Sequence, residues 1–265
     1  MPEYITSRSN PLIVETAKLF DKKYRDDLGE FLLEGRKLFL EAVSCRLSLT
    51  YVFVTEAYYE QYRKELSDFN LRILSPAVFD KISSENAPQG ILCRAKYIDF
   101  LHNFTTIYNT GEKKESLFAL YEVRDPGNLG TAIRTANALG IDTLLLSGCA
   151  DIYHPRTVRA AMGGLFRQKI VICRDLAATL QTLRTNGYRT MAAALDRHAM
   201  ELQNVDGHAP LCFVVGNEGH GLPSAVIDAC TETVFIPISP CAESLNASVA
   251  AAILMYEVVR QKLNV

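Results

Sequence analysis

The chain has 265 residues, 48% of them hydrophobic and 22% charged, with a formal charge of −2, an ordinary globular balance for one or two domains. That charge excludes nucleic-acid binding driven by bulk electrostatics while leaving room for a local basic patch. No apolar run approaches the roughly 20 residues that span a bilayer, and "MPEYITSRSNPLIVETAKLF" lacks a signal peptide's unbroken apolar core, so no membrane association is expected.

From the N-terminus, a helical pattern runs from Asn10 to about Asp27, with Pro11 suited to the first helical position. Strand-like pieces follow, "EFLLEG", "LTYVFVT" and "GILCRA", separated by helical stretches. They form a small α/β module over residues 1–96. Lys22, Lys23, Arg25, Arg36 and Lys37 lie close together in it; a solvated helix face is the commoner explanation of such a cluster. Residues 97–114 turn polar, show neither period 2 nor period 3.6, and read as a linker. Seven cysteines with no C-x-x-C pair read as buried thiols in a reducing cytoplasm, with no zinc site expected.

Beyond the linker, residues 115–265 form the second domain. Its strand candidates are "LFALYEV", "TLLLS", "KIVIC", "YRTMAAAL", "LCFVVG" and "TVFIPI". They are short apolar runs with little polar alternation, as parallel strands covered on both faces require. Ligands on such open sheets bind at the carboxyl ends of the strands, which directs attention to three loops.

In "DPGNLGTAIRTANALG", Asp-Pro-Gly makes the turn, Asn128 is suited to cap a helix, and Arg134 falls within the first two helical turns. A surface arginine explains Arg134 equally well. In "VVGNEGHGLP", closely spaced glycines leave backbone groups accessible around Glu218, although a flexible turn has the same composition. Neither loop carries a dinucleotide fingerprint or a phosphate-cradling Lys-Ser/Thr. In "IPISPCAESLNAS", Ser244 is suited to cap the last helix, yet Asn246 and Ser248 add more polar groups than one cap requires.

Taken in order, "NLGTAIR", "VVGNEGHGL" and "IPISPCAESLNAS" resemble the three motifs of the SpoU/TrmH family of SPOUT RNA methyltransferases. The match covers about 115–263. The first module is similar, more loosely, to the family's RNA-binding extension, through "FLLEGRKLFLEAV" and element order. The resemblance implies an α/β protein whose C-terminal, mainly parallel sheet is tied into a trefoil knot. It also implies S-adenosylmethionine as cofactor, a ribose 2′-hydroxyl in structured RNA as acceptor (rRNA first, tRNA second), and a homodimer. A non-catalytic RNA-binding or ribosome-assembly protein on the same scaffold is the alternative.

Carried over by motif, the resemblance assigns Arg134, Asn128, Glu218, Ser244 and Asn246 to catalysis. Ala194, Leu195, Gly216, Asn217, Gly219, Ile236 and Leu245 fall to the cofactor, largely through backbone groups. Lys22, Lys23, Arg25, Arg36 and Lys37 fall to RNA. Two roles stand open for Arg134: general base, which conflicts with a guanidinium pKa above about 12, and binder of the adjacent phosphate and developing alkoxide. No DNA partner is expected, and the location expected is cytoplasmic. A fragment starting near Lys113 is expected to fold and bind cofactor.

Overall fold

Asn10 accepts a hydrogen bond from the Leu12 N–H at 2.9 Å, and Pro11 opens α1 (Pro11–Lys18), as the sequence predicts. The helix does not continue to Asp27. Asp21 accepts from the Lys23 N–H and starts α2 (Lys22–Leu28). Arg25 then turns back and donates to the Leu19 and Phe20 carbonyls at 2.7 and 2.9 Å, groups that a helix end leaves without intrahelical partners. The computed structural model describes residues 2–98, 116–194, 199–217 and 219–262, so most of the expected linker lies outside the described residues.

Two units emerge, Met1–Ile98 with Asp151–Phe166, and Asp99–Ala150 with Arg167–Val265. In the first, β1 (Glu3–Ile5), β2 (Glu30–Glu34), β3 (Leu49–Thr55), β4 (Leu71–Leu74) and β5 (Ile91–Lys96) form one sheet in the order β1-β4-β3-β5-β2. The β1–β4 and β4–β3 pairs are parallel, and β3–β5 and β5–β2 are antiparallel. Helices α3 (Arg36–Ser44), α4 (Glu56–Tyr62) and α5 (Pro76–Ile82) alternate with the strands. Ile13, Leu32, Phe53, Leu74, Phe79 and Leu92 anchor one core cluster.

The first unit borrows a segment from later in the chain. The helix Pro155–Ala161 packs on β2. Phe31 meets the rings of Tyr153 and Phe166 at 4.7 and 6.4 Å, and Tyr97 stacks on Tyr153 at 4.1 Å. Burying each such ring stabilises by about 1.5–3 kcal/mol. Asp151 accepts from Arg25 Nη2 and Nε at 2.5 and 3.1 Å. With its side chain 2% exposed, Arg25 needs this partner: an unpaired buried charge costs about 3–5 kcal/mol.

In the second unit the apolar runs become parallel strands: β6 (Leu117–Tyr121), β7 (Thr143–Ser147), β8 (Lys169–Ile172), β9 (Arg189–Ala193), β11 (Leu211–Val215) and β12 (Glu232–Phe235), with the short β10 (Met200–Glu201) at one edge. Their order is β10-β12-β9-β11-β6-β7-β8, and every neighbouring pair is parallel. The helices are α6 (Pro126–Ala138), α7 (the borrowed Pro155–Ala161), α8 (Leu176–Thr185), α9 (Ser224–Ala229) and α10 (Ala247–Lys262). Leu145, Leu180, Leu183, Val214 and Val226 sit in the core on one side of this sheet. On α10, which packs on α6, Ala251, Leu254, Met255 and Val258 are buried. No helix among the described residues is long and apolar enough to cross a membrane.

Candidate active site

Parallel pairing puts the carboxyl ends of β12, β9, β11 and β6 side by side. The three loops singled out in the sequence leave from three of these ends, and Ala194 leaves from the fourth, its N–H donating to the Val234 carbonyl at 3.0 Å.

Asp125, rather than Asn128, caps α6: its carboxylate accepts from the Asn128 N–H at 2.9 Å, with Pro126 in the first helical turn. Proline has no N–H to satisfy, so the cap is best spent two positions further on. Asn128 is thereby left inside the first turn with its side chain turned to the last loop. Asn246 Nδ2 donates to Asn128 Oδ1 at 3.1 Å, joining residues 118 apart in sequence.

Asn246, rather than Ser244, also caps α10. Its Oδ1 accepts from the Ser248 N–H at 2.9 Å, the Ser248 hydroxyl at 2.7 Å and the Val249 N–H at 3.4 Å. The excess of polar groups at this turn therefore resolves into distinct tasks. Asn246 closes the helix and reaches the first loop, buried Ser248 supports Asn246, and Ser244 is exposed. An Asn side chain can do both because its oxygen and its nitrogen serve different partners.

The middle loop is held by its own asparagine. Asn217 Nδ2 donates to the Glu122 carbonyl at 2.8 Å, and its Oδ1 accepts from the Gly219 and His220 N–H groups at 2.8 and 3.2 Å. Asn217 and Gly221 also exchange backbone hydrogen bonds at 3.2 and 3.0 Å. Gly216 lies under this loop so closely that a Cβ there would sit 2.5 Å from the Gly221 carbonyl carbon and oxygen. No real side chain tolerates that approach. Glu122, a non-glycine residue at φ 51, pairs with Arg124 at 2.6 Å. Burial, with the adjacent Glu122 carboxylate, pushes the Tyr121 phenol up.

Arg134 is exposed, with no hydrogen bond or ion pair among the described residues. Six residues along α6 from Asn128, it lies roughly 240° round the helix. Ile236 and Leu245 are half-buried and Gly219 is exposed; Glu218 and Leu195 lie outside the described residues. S-adenosylmethionine suits this floor. Ala194, Ile236 and Leu245 offer apolar cover, and the Gly216 crossing leaves no room for a side chain where backbone groups are to be reached.

The proposed basic cluster does not survive as a unit. Arg25 is a correction: buried and engaged by Asp151, it ties down the turn between α1 and α2 and presents no charge to a ligand. Arg36 is half-buried, pairs with Glu65 at 2.9 Å and lies 4.4 Å from the Tyr62 ring centroid. Lys22 pairs with Asp26 at 2.5 Å, whereas Lys23 and Lys37 are exposed and in no ion pair among the described residues. Sequence reasoning missed Asp151 and Arg159 as first-unit residues, because nothing local marks a segment between β7 and β8 as belonging elsewhere.

Residues 115–256 match the SpoU rRNA Methylase family, and residues 10–93 match the MRM3-like substrate binding domain. The chain is 31% identical to the Bacillus subtilis 23S rRNA (guanosine(2553)-2'-O)-methyltransferase RlmP, over 95% of this chain and 97% of that one. Among solved structures it resembles an AdoMet-bound rRNA methyltransferase from Sinorhizobium meliloti, with TM-score 0.83, 28% identity and 98% of both chains covered. An RNA 2'-O ribose methyltransferase structure matches at TM-score 0.82 and 28% identity, over 98% of this chain and 99% of that one.

Proposed function

The chain belongs to the SpoU rRNA methylase family and is an RNA methyltransferase that uses S-adenosylmethionine, and from that premise we propose that its acceptor is a ribose 2′-hydroxyl of structured rRNA in the cytoplasm. The observation that carries this reading is the Asn246–Asn128 hydrogen bond, which draws the last loop to the helix bearing Arg134. The likeness to chains named as rRNA and RNA 2'-O methyltransferases supports it.

The cofactor supplies a methyl group on a sulfonium, so the protein's tasks are to position the hydroxyl, exclude water and steady the charge that develops on oxygen. Arg134 is the group for that charge: its guanidinium binds the neighbouring phosphate and the forming alkoxide in preference to acting as a base, and the hydroxyl proton leaves to bulk solvent. Asn246 is a positioning residue, since its oxygen is committed to α10 and an amide neither takes nor gives a proton here. Ser244, exposed beside it, orients the hydroxyl, and the motif assigns Glu218 to catalysis as well. Cofactor contacts fall to Ala194, Leu195, Gly216, Asn217, Gly219, Ile236 and Leu245. Asn217 contributes backbone, because its side chain is spent within the protein.

A homodimer with a composite site completes the proposal. On α10, Val249 and Tyr256 are 46% and 55% exposed, seven residues apart and so on one face, which supports a two-fold helix contact. Arg134, turned away from its own Asn128, would then work against the partner's last loop. A trefoil knot through the C-terminal segment accompanies this arrangement. The strand order, with β12 between β9 and β10, supports it.

Incubation of deproteinised 23S rRNA, 16S rRNA and tRNA with radiolabelled cofactor, followed by nucleoside digestion, tests the acceptor. Label is expected on ribose in rRNA; label on a base, or in tRNA alone, overturns the reading. For the composite site, Arg134→Ala and Asn246→Ala subunits are mixed. Each homodimer is expected to be inactive, with activity partly returning in heterodimers. Heterodimers that form without activity would place a complete catalytic set in each subunit.

A further inference from the structure

Among the described residues, three that are not glycine hold a left-handed backbone: Arg46 at φ 56, Glu122 at φ 51 and Met162 at φ 48, a region that few such residues enter. Two of them have a local cause. Arg46 follows the last turn of α3 and Met162 ends α7, and helices commonly close on a left-handed residue. Glu122 instead follows β6, where no helix ends. Its hydrogen bonds supply the reason. The Glu122 N–H donates to the Ser147 carbonyl at 2.8 Å, at the end of β7, whereas the Glu122 carbonyl accepts from Asn217 Nδ2 at 2.8 Å, just past β11. β6 lies between those two strands. An extended residue in a parallel sheet points its N–H and C=O at the same neighbour, so the backbone has to turn for Glu122 to serve both sides.

The side chain secures that turn. The Glu122 carboxylate pairs with Arg124 at 2.6 Å, and its stem lies against Gly148, where a Cβ would come within 2.9 Å of Glu122 Cγ. Asn217 Oδ1 accepts from the Gly219 and His220 N–H groups at 2.8 and 3.2 Å, so its amide joins the middle loop on one side to Glu122 on the other. A disfavoured conformation persists only where its surroundings enforce it, and such residues gather at ligand clamps. We propose that Glu122 is a positioning residue for S-adenosylmethionine: its left-handed backbone turns a carbonyl to Asn217 and thereby holds the main chain of Gly216, Asn217 and Gly219 in the form that takes the cofactor. The carboxylate is secondary, since an ion pair this exposed contributes little. That role presupposes the contact of these three residues with the cofactor, and adds the group that fixes them.

The test measures S-adenosylmethionine affinity by calorimetry, and stability by denaturant unfolding, on full-chain variants. Glu122→Val keeps the carbonyl but strongly disfavours the left-handed region, Glu122→Gly enters that region freely, and Arg46→Val imposes the same conformational penalty in the first unit. Glu122→Val is expected to bind the cofactor about tenfold more weakly, as for one hydrogen bond lost at a positioned group. Glu122→Gly should return the affinity to within about twofold of wild type, and Arg46→Val should lower stability alone. Asn217→Asp removes the donor to Glu122. Its effect on affinity should largely vanish in the Glu122→Val background, because both changes break one bond. If Glu122→Val does not fold, Glu122→Ala takes its place, with a loss of about fivefold expected relative to Glu122→Gly. Unchanged affinity in Glu122→Val, or in the alanine variant that replaces it, overturns the proposal, as do additive losses in the double variant. A loss in Glu122→Gly as large as in Glu122→Val overturns it by giving the role to the carboxylate, and an equal loss in Arg46→Val does so by reducing the effect to general destabilisation. If wild type binds cofactor and neither Asn217→Asp nor Gly216→Ala weakens it, the loop is not the cofactor's and the role of Glu122 falls with it. If those two weaken binding and Glu122→Val does not, the loop keeps its contact with cofactor and only the role of Glu122 falls.

Discussion

The two units solve the problem of positioning in opposite ways. In the second, every strand pair is parallel and the chemistry hangs on loops at adjacent strand ends, so three short stretches of sequence contain nearly the whole candidate site. In the first, a mixed sheet is finished by residues 151–166, which enter after β7. Parallel order makes a site out of neighbouring chain ends; the mixed sheet makes a domain whose packing depends on a distant segment. The consequence is that substitutions at the strand-end loops of the second unit should act on chemistry, and those where residues 151–166 meet the mixed sheet on the stability of the first unit.

The largest effect expected is Arg134→Ala, with methyl transfer falling at least about a thousandfold, as for loss of a principal transition-state contact. Cofactor affinity should stay within about twofold, since an exposed arginine away from the strand-end floor contributes nothing to it. Arg134→Lys should also fail, because an ammonium lacks the planar fork. Single-turnover rates with calorimetric binding separate the two quantities, and a parallel loss of affinity would move Arg134 into the cofactor site.

Gly216→Ala comes next. Its Cβ would be 2.5 Å from Gly221 backbone, whereas a Cβ at Gly219 would meet only Asn217 Oδ1 at 3.4 Å. Overpacking of about 1–3 kcal/mol should weaken cofactor binding roughly ten- to a hundredfold at Gly216 and little at Gly219. Equal effects at the two glycines would show that flexibility, and not close approach, is what the loop requires.

Arg25→Ala sharpens the comparison from the other side. It leaves Asp151 without its cation and two main-chain carbonyls without a donor, at a cost of about 3–5 kcal/mol. Denaturant unfolding should record that loss while cofactor affinity in the folded protein is retained. The fragment starting near Lys113 is expected to fare worse than sequence reasoning suggests. It keeps Tyr153, Val158, Leu165 and Phe166, all buried here within the first unit, without the strand they cover.

The smallest effect is on acid stability. At Glu30, burial works to raise the carboxyl pKa but is outweighed by Lys96 and Arg94, leaving it lowered; at Asp26, the Lys22 hydrogen bond leads the lowering. A depressed folded pKa contributes stability that is full above the ordinary carboxylate range and is lost as pH falls through the depressed value. Glu30→Gln should therefore flatten the acid limb of the stability profile below about pH 4. A limb unchanged by this substitution would place the acid-sensitive groups elsewhere.

What was legible in the sequence was whatever short-range physics encodes. The unbroken apolar runs became parallel strands because both faces of that sheet are covered, and Asn10-Pro11 began a helix because cap and proline act within one turn. The loops announced themselves by glycine and Asp-Pro-Gly chemistry. The three-residue β1 and four-residue β4 escaped because so few residues carry no period, and the break at Leu19–Asp21 escaped because α1 and α2 share one apolar pattern.

Sequence by itself determined the element types, the order of the strand-end loops and the residue types gathered there. Tertiary structure decided the rest. It made Asp125 and Asn246 the caps in place of Asn128 and Ser244, turned Arg25 from a surface cation into a buried tie to Asp151, and gave residues 151–166 to the first unit. Each of these depends on a partner that is absent from the local window: a capping oxygen competes with every other acceptor in reach, and a guanidinium is buried only where a carboxylate from another part of the chain arrives to meet it.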